Sequence, residues 1–352
     1  MSFPHHHIIG IGRSGTTLLQ SILNTHSAVW AGPENYFIPF FYSAWKDKTT
    51  FTAADLELAC RFHRAFGVLQ PYVGFTFDEQ KFLNPKGLQS FNDFIKHTYQ
   101  AFIDHVSPEK IAAVYINKNP LHSLYLEELA ILNSETYFVW VMRDYRANVH
   151  SRKKSVHLKS TNTYYNMLRW LAFEQRIKGF QQKHPERVLI IRYEDLVTDK
   201  EETMRKVTAF LRISTIDGIE DALLPYQTVF KNEVESQYQG AERMEKRFGD
   251  LAKPIYDKAI DQWKTGLSPN EIAICDVLAG NVGQRYGYDT MSQTSTMTSI
   301  SIRLFAILTK CWILIEQVKD SVFQRLPITF KVTYFERWVT KIDKKRQAHV
   351  VR

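Results

Sequence analysis

Apolar positions along the chain fall into two rhythms. Five short runs are almost purely apolar, β-branched or aromatic: residues 7–11, 28–31, 111–117, 137–142 and 188–193. Continuous apolar runs of this length mark strands buried on both faces, as in parallel sheets. The stretches between them repeat with a helical period. Residues 164–182 are one case, with Met167, Leu168, Leu171, Ala172 and Phe173 at helical spacing and charges between them. Strands alternating with helical segments predict βαβ units. The expected fold is therefore an α/β, three-layer architecture around a central, mainly parallel sheet. The strand order is not readable from this pattern. At 352 residues the chain exceeds the usual single domain, although about 250–300 residues can share one core.

Residues 36–105 are too long for a plain crossover and are dense in aromatics, among them Tyr36, Phe37, Phe40, Phe41, Trp45, Phe62, Tyr72, Phe75 and Phe82. They are expected to be a helical insertion on the acceptor side, with turns near Pro71 and Gly74 and near Pro85 and Gly87. Packing inside the insertion accounts for most of these rings. A few could line a pocket for an apolar or sugar-like acceptor.

The first strand leads into the most informative stretch, IIGIGRSGTTLL. Gly10, Gly12 and Gly15 let the backbone bend and approach a ligand closely. Ser14, Thr16 and Thr17 then open a helix, whose first amides and dipole favour an anion. Thr16 and Thr17 could equally serve as simple helix caps, and the two roles are compatible. A nucleoside-triphosphate P-loop needs Lys after its last glycine. Thr16 holds that position, and the cation, Arg13, lies inside the loop. The fourth strand ends in Arg143 before Asp144, so a cation stands where a magnesium-binding acid would be expected. The loop is P-loop-like but shaped for an anionic leaving group rather than a metal–triphosphate.

A second basic segment follows that strand: YFVWVMRDYRANVHSRKK. Arg143 at the strand's carboxyl end lies where open α/β sheets bind ligands. Ser151 and Lys154 are three apart and can share a helix face. Two anion sites imply a ligand with two separated anionic groups, although a solvated basic helix would read the same way.

RSGTTLL paired with RDYRANVHS resembles the sulfotransferases that use 3′-phosphoadenosine 5′-phosphosulfate. The Arg within the loop resembles their tyrosylprotein and carbohydrate branch and its bacterial relatives. INKNP at 116–120 is similar to that branch's NKDP strand end, and RYEDLV at 192–197 is similar to the strand that closes the nucleotide pocket. The resemblance covers roughly residues 6–290 and implies an enzyme that moves a sulfuryl group from this co-substrate to a hydroxyl acceptor, without a metal. It implies donor contacts from the loop residues Arg13, Ser14, Gly15, Thr16, Thr17 and Leu18, from the pair Arg143 and Ser151, and from Tyr193; Lys154 joins them as a candidate by its spacing from Ser151. Tyr193 could instead be a core residue.

In-line transfer needs a base for the acceptor proton and positive charge on the group in flight. Glu34, just after the second strand, is the candidate base, and the resemblance points to the same residue. Lys118, at the end of the third strand, is the candidate stabiliser together with Arg13. Lys264 is a further basic candidate, with a solvated role as the alternative. Asn119 stands where the related motif has Asp. His5, His6 and His7 form a run with no partner ligands spaced for a metal.

Charge is unevenly placed. The net charge is +8, and residues 291–352 carry an excess of +7. This divides the chain into an expected catalytic domain at 1–290 and a basic amphipathic extension at 291–352, joined by a Ser/Thr-rich connector at 292–301. Residues 301–318 are apolar but interrupted by Arg303 and Lys310, short of the roughly 20 apolar residues of a spanning helix. The extension could lie on an anionic membrane surface, pack on the enzyme or pair two subunits. Three scattered cysteines, Cys60, Cys275 and Cys311, make no disulfide framework. With the first strand starting in the opening residues, a cytoplasmic setting is expected, peripheral at the membrane if the tail binds there. Two other classes fit less well: a P-loop kinase or phosphotransferase, and a non-catalytic, membrane-associated nucleotide-binding protein. Nucleic acid is a poor partner, because the charge sits in one tail without a binding module. The acceptor, whether glycan, lipid, peptide or small alcohol, stays open.

Overall fold

The computed structural model describes residues 5–32, 34–69, 77–85, 87–106, 108–155, 161–216, 218–219 and 259–350; the side chains of 69, 106 and 345–350 lie outside the description. The turn expected near Pro71 and Gly74, with Tyr72 and Phe75, falls outside the described residues.

The first half of the chain runs β1 (His5–Ile9), α1 (Thr16–Asn24), β2 (Val29–Gly32), α2 (Phe37–Trp45), α3 (Ala53–Leu69), α4 (Glu79–Phe82), α5 (Phe91–Val106), β3 (Val114–Lys118), a 3-10 turn (Pro120–Leu124) and α6 (Leu126–Leu132). The second half runs β4 (Phe138–Met142), α7 (Tyr145–Lys154), α8 (Thr163–Lys183), β5 (Val188–Arg192), α9 (Tyr193–Thr198), α10 (Lys200–Leu211), α11 (Gln262–Gly266), α12 (Pro269–Gly283), α13 (Thr296–Gln324) and α14 (Ile328–Val350). The strands form one five-stranded sheet in the order β2-β3-β1-β4-β5. β2 pairs parallel with β3, from Val29 opposite Val114 to Gly32 opposite Asn117. β4 pairs parallel with β5, from Phe138 opposite Val188 to Met142 opposite Arg192. The expected α/β architecture is thus the observed one.

The chain divides into two compact units, Met1–His7 with Leu23–Thr136 and Asp320–Arg352, and Ile8–Ile22 with Tyr137–Lys319. In the first, the aromatics of the insertion make a core. Phe37, Phe41, Trp45, Phe62, Phe94 and Phe102 are almost wholly buried, and Phe41 stacks on Trp45 at 4.1 Å between ring centroids. The C-terminal helix α14 belongs to that core. Phe335 stacks on Phe62 at 5.2 Å, and Arg61 Nε donates to Glu336 Oε1 at 3.0 Å. Lys331, with no exposed surface, donates to the Phe40 carbonyl at 2.7 Å and to Gln324 Oε1 at 3.0 Å. Its charge also lies 4.9 Å from the centre of the Phe40 ring. Burial lowers the Lys331 ammonium to about 8.

In the second unit β4 is buried along its whole length. Asp144 then caps α7 by accepting from the Arg146 and Ala147 amides. α12 opens on a capping box, Ser268 with Glu271, and has Pro269 in its first turn. α13 packs its Ile302 against Ala273 and Ile274 of α12.

Several boundaries differ from the sequence reading. β1 begins at His5, so the histidine run is part of the strand. His7 and His122 approach at 3.1 Å between their Nδ1 atoms. Burial first, then the neighbouring histidines, holds His7 well below its ordinary value, and burial with His5 brings His122 to about 3; both are neutral. Residues 111–113 precede β3, with Ile111 90% exposed. The expected 292–301 connector is already helical from Thr296. Arg303 and Lys310 do not interrupt α13, which runs for 29 residues. By length and composition alone α13 is long and apolar enough to cross a membrane, so the expectation that this stretch falls short is corrected.

Candidate active site

In the second unit the residues singled out in the glycine loop and in α7 come together. The loop between β1 and α1 carries positive φ at Gly10 (131°), Arg13 (75°) and Gly15 (93°). A Cβ on Gly10 would lie 2.6 Å from the Val141 carbonyl oxygen, and one on Gly15 would lie 2.3 Å from the Tyr193 ring. Glycine is therefore required at both places. Arg13 accepts the left-handed conformation without being glycine, a strain that concentrates at functional loops. Its side chain is exposed, and its Nε donates to Ser151 Oγ at 3.1 Å. Ser14 and Thr16 are buried, while Thr17 and Leu18 are half-buried in the first turn of α1.

Arg143 shapes the loop from below. One terminal nitrogen donates to the Arg13 carbonyl at 3.1 Å and the other to the Ala259 carbonyl at 2.8 Å. Among the described residues, its Nε has no hydrogen-bond partner. The guanidinium sits 4.2 Å from the centre of the Tyr193 ring, and the same ring lies against Gly15. Tyr193 opens α9 rather than ending β5. Its position one residue past the strand places the ring between the loop and Arg143.

Pattern reading missed Asn148. Its amide donates to the Gly12 carbonyl at 3.1 Å and to Ser14 Oγ at 3.0 Å, tying α7 to the loop at a second point. The signal was its place three residues before Ser151, on the same helix face. Lys154 is exposed at the last turn of α7. Lys153 is paired with Glu271. Arg146 is buried between Asp144 at 2.8 Å and Asp276 at 3.3 Å, so its charge is matched by protein. Burial alone would lower Arg146; the bonds from Asp144 and the charge of Asp276 override it and raise it. His150 is depressed by burial and then by Lys154, Arg143 and Lys153. Cations thus act together at His150, a setting that favours an anion. Lys264 pairs with Asp261 at 3.0 Å with both side chains largely exposed, the solvated role.

The first unit holds the other candidates. Lys118, 4% exposed, ends β3 and donates to Glu34 Oε2 at 2.8 Å; the Glu34 side chain is 27% exposed. Three asparagines fix the segment that carries Glu34. Asn117 Nδ2 donates to Asn35 Oδ1 at 3.1 Å and to the Tyr99 hydroxyl at 2.7 Å. Asn119 Nδ2 donates to the Asn35 carbonyl at 2.5 Å, while its Oδ1 accepts from the Leu121 amide at 2.9 Å and caps the 3-10 turn. An aspartate at 119 could make the cap but not the donation. Standing where the related motif has Asp, Asn119 is the residue that ties INKNP to the Glu34 segment. Each unit therefore assembles its own group: Arg13, Ser151, Arg143, Tyr193 and Asn148 in one, Glu34, Lys118 and Asn119 in the other.

The model of the sulfotransferase family matches residues 6–217. The chain belongs to the sulfotransferase family. Protein-tyrosine sulfotransferase 2 of Gallus gallus is 27% identical over 292 residues, 80% of this chain and 68% of its own. Protein-tyrosine sulfotransferase 1 of Danio rerio is 24% identical over 284 residues, 80% of this chain and 71% of its own. The sulfotransferase domain of the olefin synthase from Synechococcus PCC 7002 shares the fold, with a TM-score of 0.55 and 18% identity over 82% of this chain and 97% of that one. The sulfotransferase chain described here is thus related to the tyrosylprotein branch and is an enzyme of sulfuryl transfer, whose acceptor carries a hydroxyl.

Proposed function

We propose that this sulfotransferase takes 3′-phosphoadenosine 5′-phosphosulfate as donor and transfers its sulfuryl group in line to the acceptor hydroxyl, with Glu34 as general base. The observation that carries the reading is the Arg13–Ser151 bond on a strained anion loop at the start of α1. The loop amides and the hydroxyls of Ser14, Thr16 and Thr17 would hold the 5′-phosphate. The cations that act at His150, with Ser151 and the remaining nitrogen of Arg143, would receive the 3′-phosphate.

In the step itself the acceptor oxygen forms a bond to sulfur as the bond from sulfur to the bridging phosphate oxygen breaks. The acceptor proton passes to Glu34, and 3′,5′-diphosphoadenosine leaves. Lys118 would offset charge on the sulfuryl oxygens, and Arg13 would offset it on the leaving phosphate. The ion pair holds Lys118 and Glu34 side by side. A tyrosine hydroxyl is the first acceptor to test, because the relatives above are named for it.

Calorimetry with 3′,5′-diphosphoadenosine in the absence of magnesium tests the donor, and peptide, glycan and lipid acceptors with labelled donor test the transfer. Binding of ATP–magnesium in preference to the desulfated donor would overturn the donor assignment.

A further inference from the structure

We propose that α13 lies in the plane of an anionic lipid surface, with its bare face in the acyl–headgroup boundary. The helix has two apolar faces. Ile302, Ala306 and Ile313 are buried, Ile302 against α12 and the partly buried Tyr164 of α8. The Tyr165 hydroxyl donates to Glu316 at 3.0 Å, and the Tyr165 ring lies 4.9 Å from Trp312. This side is occupied by protein.

The other side is bare. Ile300, Leu304, Ile307, Leu308, Ile315 and Val318 are between 48% and 69% exposed. Together with exposed Cys311 they fall within roughly 120° of the helix circumference, so they form one continuous stripe along it. A stripe of this length on a soluble surface marks an interaction site.

Charge identifies the partner. Exposed Arg303 and Lys310 lie along one border of the stripe and exposed Lys319 along the other, while Glu316 on the packed side is held by the Tyr165 hydroxyl. An apolar stripe edged by cations matches a bilayer with anionic headgroups. A spanning orientation is disfavoured, since it would carry Arg303 and Lys310 into hydrocarbon and strip the packed face from α12.

The full chain suits the test, because α14 is part of a core and cannot be cut away. Cys311 is exposed within the stripe, whereas Cys60 and Cys275 are buried, so a thiol-reactive, environment-sensitive dye marks the stripe in the native sequence. Expected are a blue shift of the dye and co-sedimentation with phosphatidylcholine–phosphatidylglycerol vesicles. Affinity should fall by about a hundredfold on phosphatidylcholine alone, as three cations near the surface imply. Leu304→Glu with Ile307→Glu, both exposed positions, should abolish binding while the thermal melt is unchanged. Absence of both signals overturns the proposal, as does equal binding to neutral vesicles. Retention on vesicles after an alkaline carbonate wash overturns the in-plane orientation. A concentration-dependent dimer that hides the dye and ignores vesicles reassigns the stripe to a second copy and overturns the lipid partner. None of these readouts depends on the donor or on transfer.

Discussion

Arg13 Nε and Ser151 Oγ meet at 3.1 Å across 138 residues of sequence. The bond joins the exposed cation of the glycine loop to the helix that follows β4. It orients the guanidinium at a backbone position that is itself strained. Ser151→Ala removes the acceptor without touching a core. The expected result is a loss of about tenfold in affinity for 3′,5′-diphosphoadenosine, with stability changed by less than about 0.5 kcal/mol. Calorimetry and a denaturant titration read the two quantities separately.

Glu34→Gln keeps an oxygen for Lys118 to donate to, so the 2.8 Å contact can survive. It removes the capacity to take a proton. Turnover is expected to fall by about a hundredfold or more, with donor affinity unchanged. Steady-state kinetics with saturating donor decide it, and unchanged turnover would remove Glu34 as the base.

Asn119→Asp retains the cap to the Leu121 amide but replaces the donation to the Asn35 carbonyl with two facing oxygens. The contact is buried, so the expected cost is about 1–3 kcal/mol in unfolding free energy. Turnover should fall with it, because Asn35 adjoins Glu34. Urea unfolding followed by tryptophan fluorescence measures the first effect. A stability equal to the parent would show that the amide donation contributes nothing.

Lys331 has its ammonium lowered to about 8 by burial. A folded-state value below that of the unfolded chain means the charged form is penalised in the native state. The penalty is fully present below pH 8. It is relieved as pH rises from about 8 toward the ordinary lysine value of about 10.4, where the unfolded chain binds more protons. The parent is therefore expected to gain stability relative to Lys331→Met across that window. Paired thermal melts at successive pH values test the slope, and a pH-independent difference would contradict it.

Much of this arrangement was legible in the sequence, and the exceptions have physical causes. β4 reads as a buried strand because FVWVM offers no polar face. The loop reads as an anion site because Gly10 and Gly15 hold conformations that side chains resist. β1 reads as starting two residues late because His5 and His6 are polar, yet both are buried in the strand. Residues 111–113 read as part of β3 because Ile111 is apolar, yet its side chain is exposed. Asn148 escaped notice because a neutral amide within a helix carries no signature until its partners are known. Arg303 and Lys310 read as breaks in an apolar segment. Charged side chains do not end a helix when they can project along its border into water.

The stacking of Phe335 on Phe62 has a bearing on how the protein is made. Residues 53–69 leave the ribosome long before residues 328–350, so the aromatic surface that Phe335 covers on Phe62 and Phe66 has only its local partners until α14 arrives. That patch of apolar surface stays uncovered through most of translation. At that stage holdase chaperones have most to shield.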